Sequence, residues 1–224
     1  MRHLRRTATT AAAAAVALAV TGLTGCGAPG YTYAADSSDQ AYFKVPAGWL
    51  QVSPAALANA QSSLLGQSAA GPTGGRLAWS RAYDPAADPS ATDLLAGSKT
   101  PVVYASVQNL RDSLRAELSF NFMRDLLLPV TSGARQEASA EGEKLTGFSL
   151  VSSTTITGSD GVHGINELFE YDVGGQPDAF DQTVLTNGAT TKLYLLLVQC
   201  FQSCFVAHAA QIRTVVDSFT VRGS

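Results

Sequence analysis

VHGINELFEYDV (residues 162–173), followed at once by GGQPD (174–178), is the stretch whose reading decides the fold. Phe169, Tyr171 and Val173 alternate with Glu170 and Asp172, the pattern of a strand with one buried face. Gly174 to Asp178 then turns the chain back on itself. Upstream, Gly147 to Thr157 is rich in Val, Ile, Thr and Phe, and Gly158-Ser159-Asp160-Gly161 makes a second hairpin turn. Downstream, Phe180 to Thr186 and Lys192 to Gln199 read as two more strands joined through Asn187-Gly188, a strong hairpin dipeptide. Leu193 to Val198 is almost wholly apolar, so this strand is expected at the centre of the sheet with both faces covered. From Glu143 onward the pattern is therefore an antiparallel meander.

The period changes on either side. From Cys204 to Asp217, Phe205, Ala209, Ile212 and Val216 fall on one helical stripe, and Ser218-Phe219-Thr220-Val221 closes the chain. Before the meander, Asn109 or Asp112 caps a helix in which Leu114, Leu118, Phe122 and Leu126 recur every fourth residue until Pro129 stops it. Gly133 to Gly142 is polar and carries no apolar period. Pro101 to Val107 and Leu77 to Tyr83 read as strands, and Tyr42 to Val45 as a short one halted by Pro46-Ala47-Gly48. Ser53-Pro54 opens a short helix with Leu57, Leu64 and Leu65 on its apolar side. Residues 66–75 and 84–100 read as long polar loops, and a partner surface is expected on them.

The N-terminus has a different grammar. Arg2, Arg5 and Arg6 precede a weakly apolar run from Ala8 to Val20, and Leu23-Thr24-Gly25-Cys26 follows, which resembles the bacterial lipobox. The apolar run is about 13 residues, short of the roughly 20 a spanning helix needs. The expectation is a signal peptide over residues 1–25, cleavage before Cys26, diacylglycerol on the Cys26 sulfur, a flexible polar tether over 26–40 and a globular domain over 41–224. Such a protein is extracytoplasmic, held by lipid on the outer face of the cytoplasmic membrane. The mature chain carries 12 basic and 18 acidic residues, a balance of −6 that offers nucleic acid nothing.

Removing the lipidated Cys26 leaves an even pair, Cys200 and Cys204, in an oxidising compartment. Three readings of the pair stand: a disulfide across a very short loop, two buried thiols, or a metal site with His208, for which no fourth ligand is evident. His163 and His208 are the only histidines of the mature chain, and neither has the setting of an acid–base catalyst. No G-x-S-x-G elbow, phosphate-binding glycine motif, H-E-x-x-H or calcium loop occurs, so no cofactor is expected. The carboxylate pairs Asp36/Asp39, Asp84/Asp88, Glu141/Glu143 and Glu170/Asp172 read as solvated surface.

The order of these parts carries a resemblance. A Pro46-Ala47-Gly48-Trp49 turn after a first strand, a middle helix, a hairpin-rich sheet, and a terminal helix running into Val215-Val216-Asp217-Ser218-Phe219 together resemble the PsbP-like fold. Actinobacterial lipoproteins of the LpqN type are especially similar, and the excess of Arg over Lys (11 to 4) suits a high-GC genome. The resemblance covers roughly Ala41 to Arg222 and implies an α/β class, an α/β/α sandwich with a central antiparallel sheet flanked by helices. It also implies a noncatalytic binding or assembly module that meets an unknown envelope protein. The alternatives are a small-molecule or lipid carrier, which needs a cavity, and a weak hydrolase.

Overall fold

In the computed structural model, which describes residues 30–64 and 76–222, the alternation at 162–173 becomes a strand with Phe169 and Tyr171 buried and Glu170 and Asp172 half-exposed. Along the chain the elements are β1 (Tyr31–Asp36), β2 (Ala41–Pro46), β3 (Leu50–Gln51), α1 (Pro54–Leu64), β4 (Arg76–Asp84), α2 (Asp93–Ala96) and β5 (Val102–Asn109). There follow α3 (Asp112–Glu117), α4 (Phe120–Arg124), α5 (Ser132–Ala140) and β6 (Thr146–Thr157). After a single 3-10 turn come β7 (His163–Val173), β8 (Gln176–Thr186), β9 (Lys192–Phe201), α6 (Gln202–Ala207), α7 (Ala209–Val216) and β10 (Thr220–Val221).

Seven strands form one antiparallel sheet in the order β3-β4-β5-β9-β8-β7-β6. The meander over β6 to β9 is as the turn residues imply. β9 lies between β5 and β8, and its alternate side chains enter two cores. Leu193, Leu195 and Leu197 pack with Leu57, Leu94, Met123 and Leu126 of the preceding helical segments. Leu196, Val198 and Cys200 pack on the opposite face with Phe43 and Val45 of β2 and with Cys204, Ile212 and Val215 of α6 and α7. The class is thus mixed α/β, a large antiparallel sheet with helices against it.

Close pairing explains one sequence choice. At Gly164 of β7, opposite Leu185, a Cβ would lie 1.9 Å from the Val184 carbonyl oxygen. Only the residue without a Cβ fits there.

Three local expectations are corrected, and one polar stretch that the sequence left unassigned is a helix. Residues 31–36, expected within the tether, are a strand paired with β2 from Tyr31↔Pro46 to Asp36↔Ala41. Only Ala34 of that strand is buried, so composition gave no apolar period. The single helix expected to run to Leu126 breaks at Leu118, which is extended, and restarts at Ser119, whose hydroxyl caps α4 by accepting from the Phe122 N–H at 3.1 Å. The polar stretch 133–142 lies largely in α5, begun by Thr131, whose hydroxyl accepts from the Ala134 N–H at 3.3 Å. Asp125 fixes that start by accepting from the N–H groups of Val130 and Thr131 and from the Thr131 hydroxyl, each at 2.7 Å. The last helix is two, joined at His208. Among the described residues no helix is long and apolar enough to cross a membrane.

Candidate functional site

Strand geometry assembles a site at one end of the large sheet. On β8, Asp178 and Phe180 point to the face that carries α2 and α4, and on β9 Leu197 and Gln199 share that face. Gln199 stands opposite both Val102 and Phe180, and Phe180 stands opposite Phe169, with the two rings stacked at 5.4 Å. Over this end lie Leu94 of α2 and Leu127 and Leu128, which follow α4. These residues and Val173 enclose a cavity of about 190 Å³. Leu94, Phe180, Leu197, Gln199 and Asp178 are buried, whereas Leu127, Leu128 and Val173 are half-buried and form the mouth.

The carboxyl of Asp178 is the unusual group. It is fully buried, and neither Oδ atom has a partner in hydrogen-bond geometry. Burial pushes its pKa up to about 6, with the N–H of the adjacent Ala179 working in the other direction. Gln199 directs its amide nitrogen to the Asp93 carbonyl at 3.0 Å, and the Phe201 N–H donates to the Ser98 carbonyl at 2.8 Å, so the segment after α2 is tied to the end of β9. Gly97 lies in that segment with φ +74°. A Cβ there would fall 2.6 Å from a Phe201 ring carbon and 3.1 Å from Asp178 Oδ2. The backbone at Gly97 therefore packs directly against Phe201 and the Asp178 carboxyl, where a side chain has no room.

An acidic pair stands nearby. Asp84 is fully buried; its Oδ1 accepts from the Ala86 N–H at 2.8 Å and from the Thr100 hydroxyl at 3.4 Å. Asp93 has its pKa raised first by burial and then by a hydrogen bond with Asp84 and by its charge. Asp84 is thus not the solvated partner of Asp88 that the sequence suggested; Asp88 is exposed and Asp84 is a core residue.

The sequence-derived candidates are distributed as follows. Cys26 and residues 66–75 lie outside the described residues. Cys200 and Cys204 form a disulfide with Cα atoms 6.0 Å apart, which removes both the free-thiol reading and the metal site with His208. His208 bonds Gln211 Oε1 through Nδ1 at 3.1 Å, and His163 bonds the Gly161 carbonyl at 2.8 Å and meets the Phe120 ring edge-on. The segment 84–100 is no exposed polar loop: Ala91, Leu94 and Ser98 are buried, and Leu94 walls the cavity. Asp178 escaped the sequence reading because GGQPD reads as a turn. Gln199 did leave a signal, a polar residue closing an otherwise apolar two-faced strand.

One further surface stands out. β6 pairs with β7 alone and ends the sheet, and the chain from Leu145 to Ser159 carries no charge. Leu150 and Val151 on this edge are 47% and 55% exposed.

Neither a family model nor a curated relative matches the chain. Among solved structures it is similar to cyanobacterial PsbP (CyanoP) from Synechocystis, at 17% identity over 89% of this chain and 99% of that one, with a TM-score of 0.47. It is also similar to a Pseudomonas aeruginosa protein of unknown function (12% identity, 87% and 99% covered, TM-score 0.41). A third is the Ran-binding protein Mog1p of Saccharomyces cerevisiae (9% identity, 86% and 96% covered, TM-score 0.42).

Proposed function

We propose that this chain is a lipid-anchored, extracytoplasmic, noncatalytic binding or assembly module of the cell envelope, built as a PsbP-like α/β/α sandwich of the LpqN kind. The lipobox ending at Cys26 supports the anchor, and the packing of helices on both faces of the large sheet supports the sandwich. The observation that carries the binding role is β6, an edge strand of 12 residues with neither Pro nor a charged side chain to blunt it. Such an edge offers a ladder of unpaired backbone groups to an extended segment of another envelope protein. Two register shifts along β6 leave that ladder broken into short runs, which favours a short partner strand over indefinite stacking.

The experiment is photocrosslinking in living cells from position 151, with position 206 on the exposed face of α6 as the control and Leu150→Lys as the blocking substitution. One envelope protein captured from 151 alone, and lost with a Lys placed beside it at Leu150, supports the role; equal capture from both positions overturns it. Cys26→Ser should move the protein from membranes to the medium, and full retention would remove the anchor. A second reading, a carrier of a small apolar ligand, is favoured by the cavity beside Asp178.

A further inference from the structure

The cavity bounded by Leu94, Leu127, Leu128, Val173, Phe180 and Leu197 is apolar on its walls and acidic at its inner end. We propose that it is a binding site for a primary ammonium group carried on a short apolar body. This rests on the carrier reading and is independent of strand pairing at β6.

The polar chemistry of the inner end is one-sided. Asp178 contributes two carboxyl oxygens without hydrogen-bond partners among the described residues; both are covered in the unliganded protein, so an incoming donor meets them once the Asp178 side chain turns toward the cavity. Gln199 turns its amide nitrogen away to the Asp93 carbonyl, and among the described residues no Lys, Arg or His lines the cavity. A ligand carboxylate would meet like charge, and a hydrocarbon would leave the Asp178 carboxyl alone in an apolar setting, the arrangement that is costly. An ammonium brings three donors and the compensating charge. Burial that lifts the Asp178 pKa to about 6 still leaves it ionised at neutral pH, ready for that partner.

Size narrows the body. A cavity of about 190 Å³ is smaller than the roughly 300 to 1,000 Å³ of drug-sized sites and somewhat larger than an engineered cavity of about 150 Å³ that holds benzene. A chain of about six carbons, or one ring with a short arm, fills it. The half-buried Leu127, Leu128 and Val173 form the way in, so the ammonium enters first and the body closes the mouth behind it. Among the described residues no group of three or more His, Cys, Asp or Glu is placed to hold a metal ion, which leaves an organic cation as the fitting charge.

The test is calorimetric and NMR titration of the mature full chain with hexylamine, 1-hexanol and hexanoate at pH 7.5 and pH 5. Hexylamine should bind at least about tenfold more tightly than hexanol, hexanoate should not bind, and hexylamine affinity should fall about tenfold per pH unit below 6 as Asp178 takes a proton. Asp178→Asn should erase the preference for the amine while keeping hexanol binding, and Leu128→Trp, which blocks the mouth without touching the carboxyl, should abolish both. Hexanol binding as tight as hexylamine, or an amine preference that survives Asp178→Asn, overturns the ammonium assignment and leaves the carrier reading standing. Failure of all three probes to bind overturns both.

Discussion

Arg124 of α4 and Glu167 of β7 are joined by an Nε–Oε1 contact of 3.0 Å that ties the helical layer to the sheet. Glu167 is fully buried and also accepts from the Ser153 hydroxyl at 2.8 Å. Gln182 reinforces the tie by donating to the carbonyls of Met123 and Arg124 at 3.0 and 3.3 Å. Burial raises the Glu167 pKa, and Ser153 and Arg124 oppose that rise.

Arg124→Leu strands the Glu167 carboxylate in the core and should cost about 3 kcal/mol in urea unfolding at pH 7. The loss should shrink as pH falls, because the stranded carboxyl then takes a proton. The double variant Arg124→Leu with Glu167→Leu should recover most of the stability, since neither charge remains to be desolvated. Equal losses in the single and double variants would show that the pair is not what matters.

Asp178→Asn should stabilise the unliganded protein at pH 7. The native carboxyl rises from 3.8 to about 6, so the folded state binds a proton more readily than the unfolded one. Stability therefore falls as pH climbs through the window from about 4 to about 6, and the full penalty stands above it. A rise of about two units corresponds to about 2 to 3 kcal/mol, which Asn should return. Asp181, also raised to about 6 by burial, against a hydrogen bond from Asn166 and with the charge of Asp217 adding to the rise, should keep a residual slope in the variant. Thermal melts at pH 4.5 and 7.5 measure both effects.

Reduction of Cys200–Cys204 should lower stability by no more than about 2 kcal/mol, because the bridge closes a loop only four residues long in sequence separation. Alkylation after reduction should add two labels to Cys200 and Cys204, and none before it. Label uptake at these sites without reductant would contradict the bridge.

Gly164→Ala should be the most damaging single methyl in the sheet. The added carbon meets the Val184 carbonyl oxygen and the Leu185 Cα, both backbone, so β7 and β8 must part. A loss of about 3 kcal/mol or a failure to fold is expected. Gly48→Ala, where nothing lies within 4 Å, is the matched control and should change stability by less than about 0.5 kcal/mol.

What the sequence disclosed and what it hid divide along burial. Leu193 to Val198 is apolar because both faces of β9 are covered, and composition registers that directly. α5 is helical yet buries no residue, so it has capping at Thr131 and a ring contact, Arg135 over Phe148 at 3.9 Å, in place of an apolar period. β1 escaped for the same reason, having Ala34 alone inside. The break at Leu118 was invisible because the stripe Leu114, Leu118, Phe122, Leu126 continues across it, half-buried and then buried, whether one helix or two carries it. Asp178 and Gln199 became a site only when β8 and β9 were brought side by side. No local pattern encodes that an aspartate after a turn will share a cavity with Leu128.

β2 is held between the first and last strands of the described chain, with Tyr42 opposite both Ala35 and Thr220, and Ala41 opposite both Asp36 and Val221. The Arg222 N–H then donates to the Gln40 carbonyl at 3.1 Å. Phe43 and Val45 therefore stand early in the chain, while Ile212 and Val215, which complete their surroundings, stand some 170 positions later. Closure of the small sheet thus needs both ends of the described chain, and a polypeptide cut before Thr220 leaves β2 paired on one edge alone.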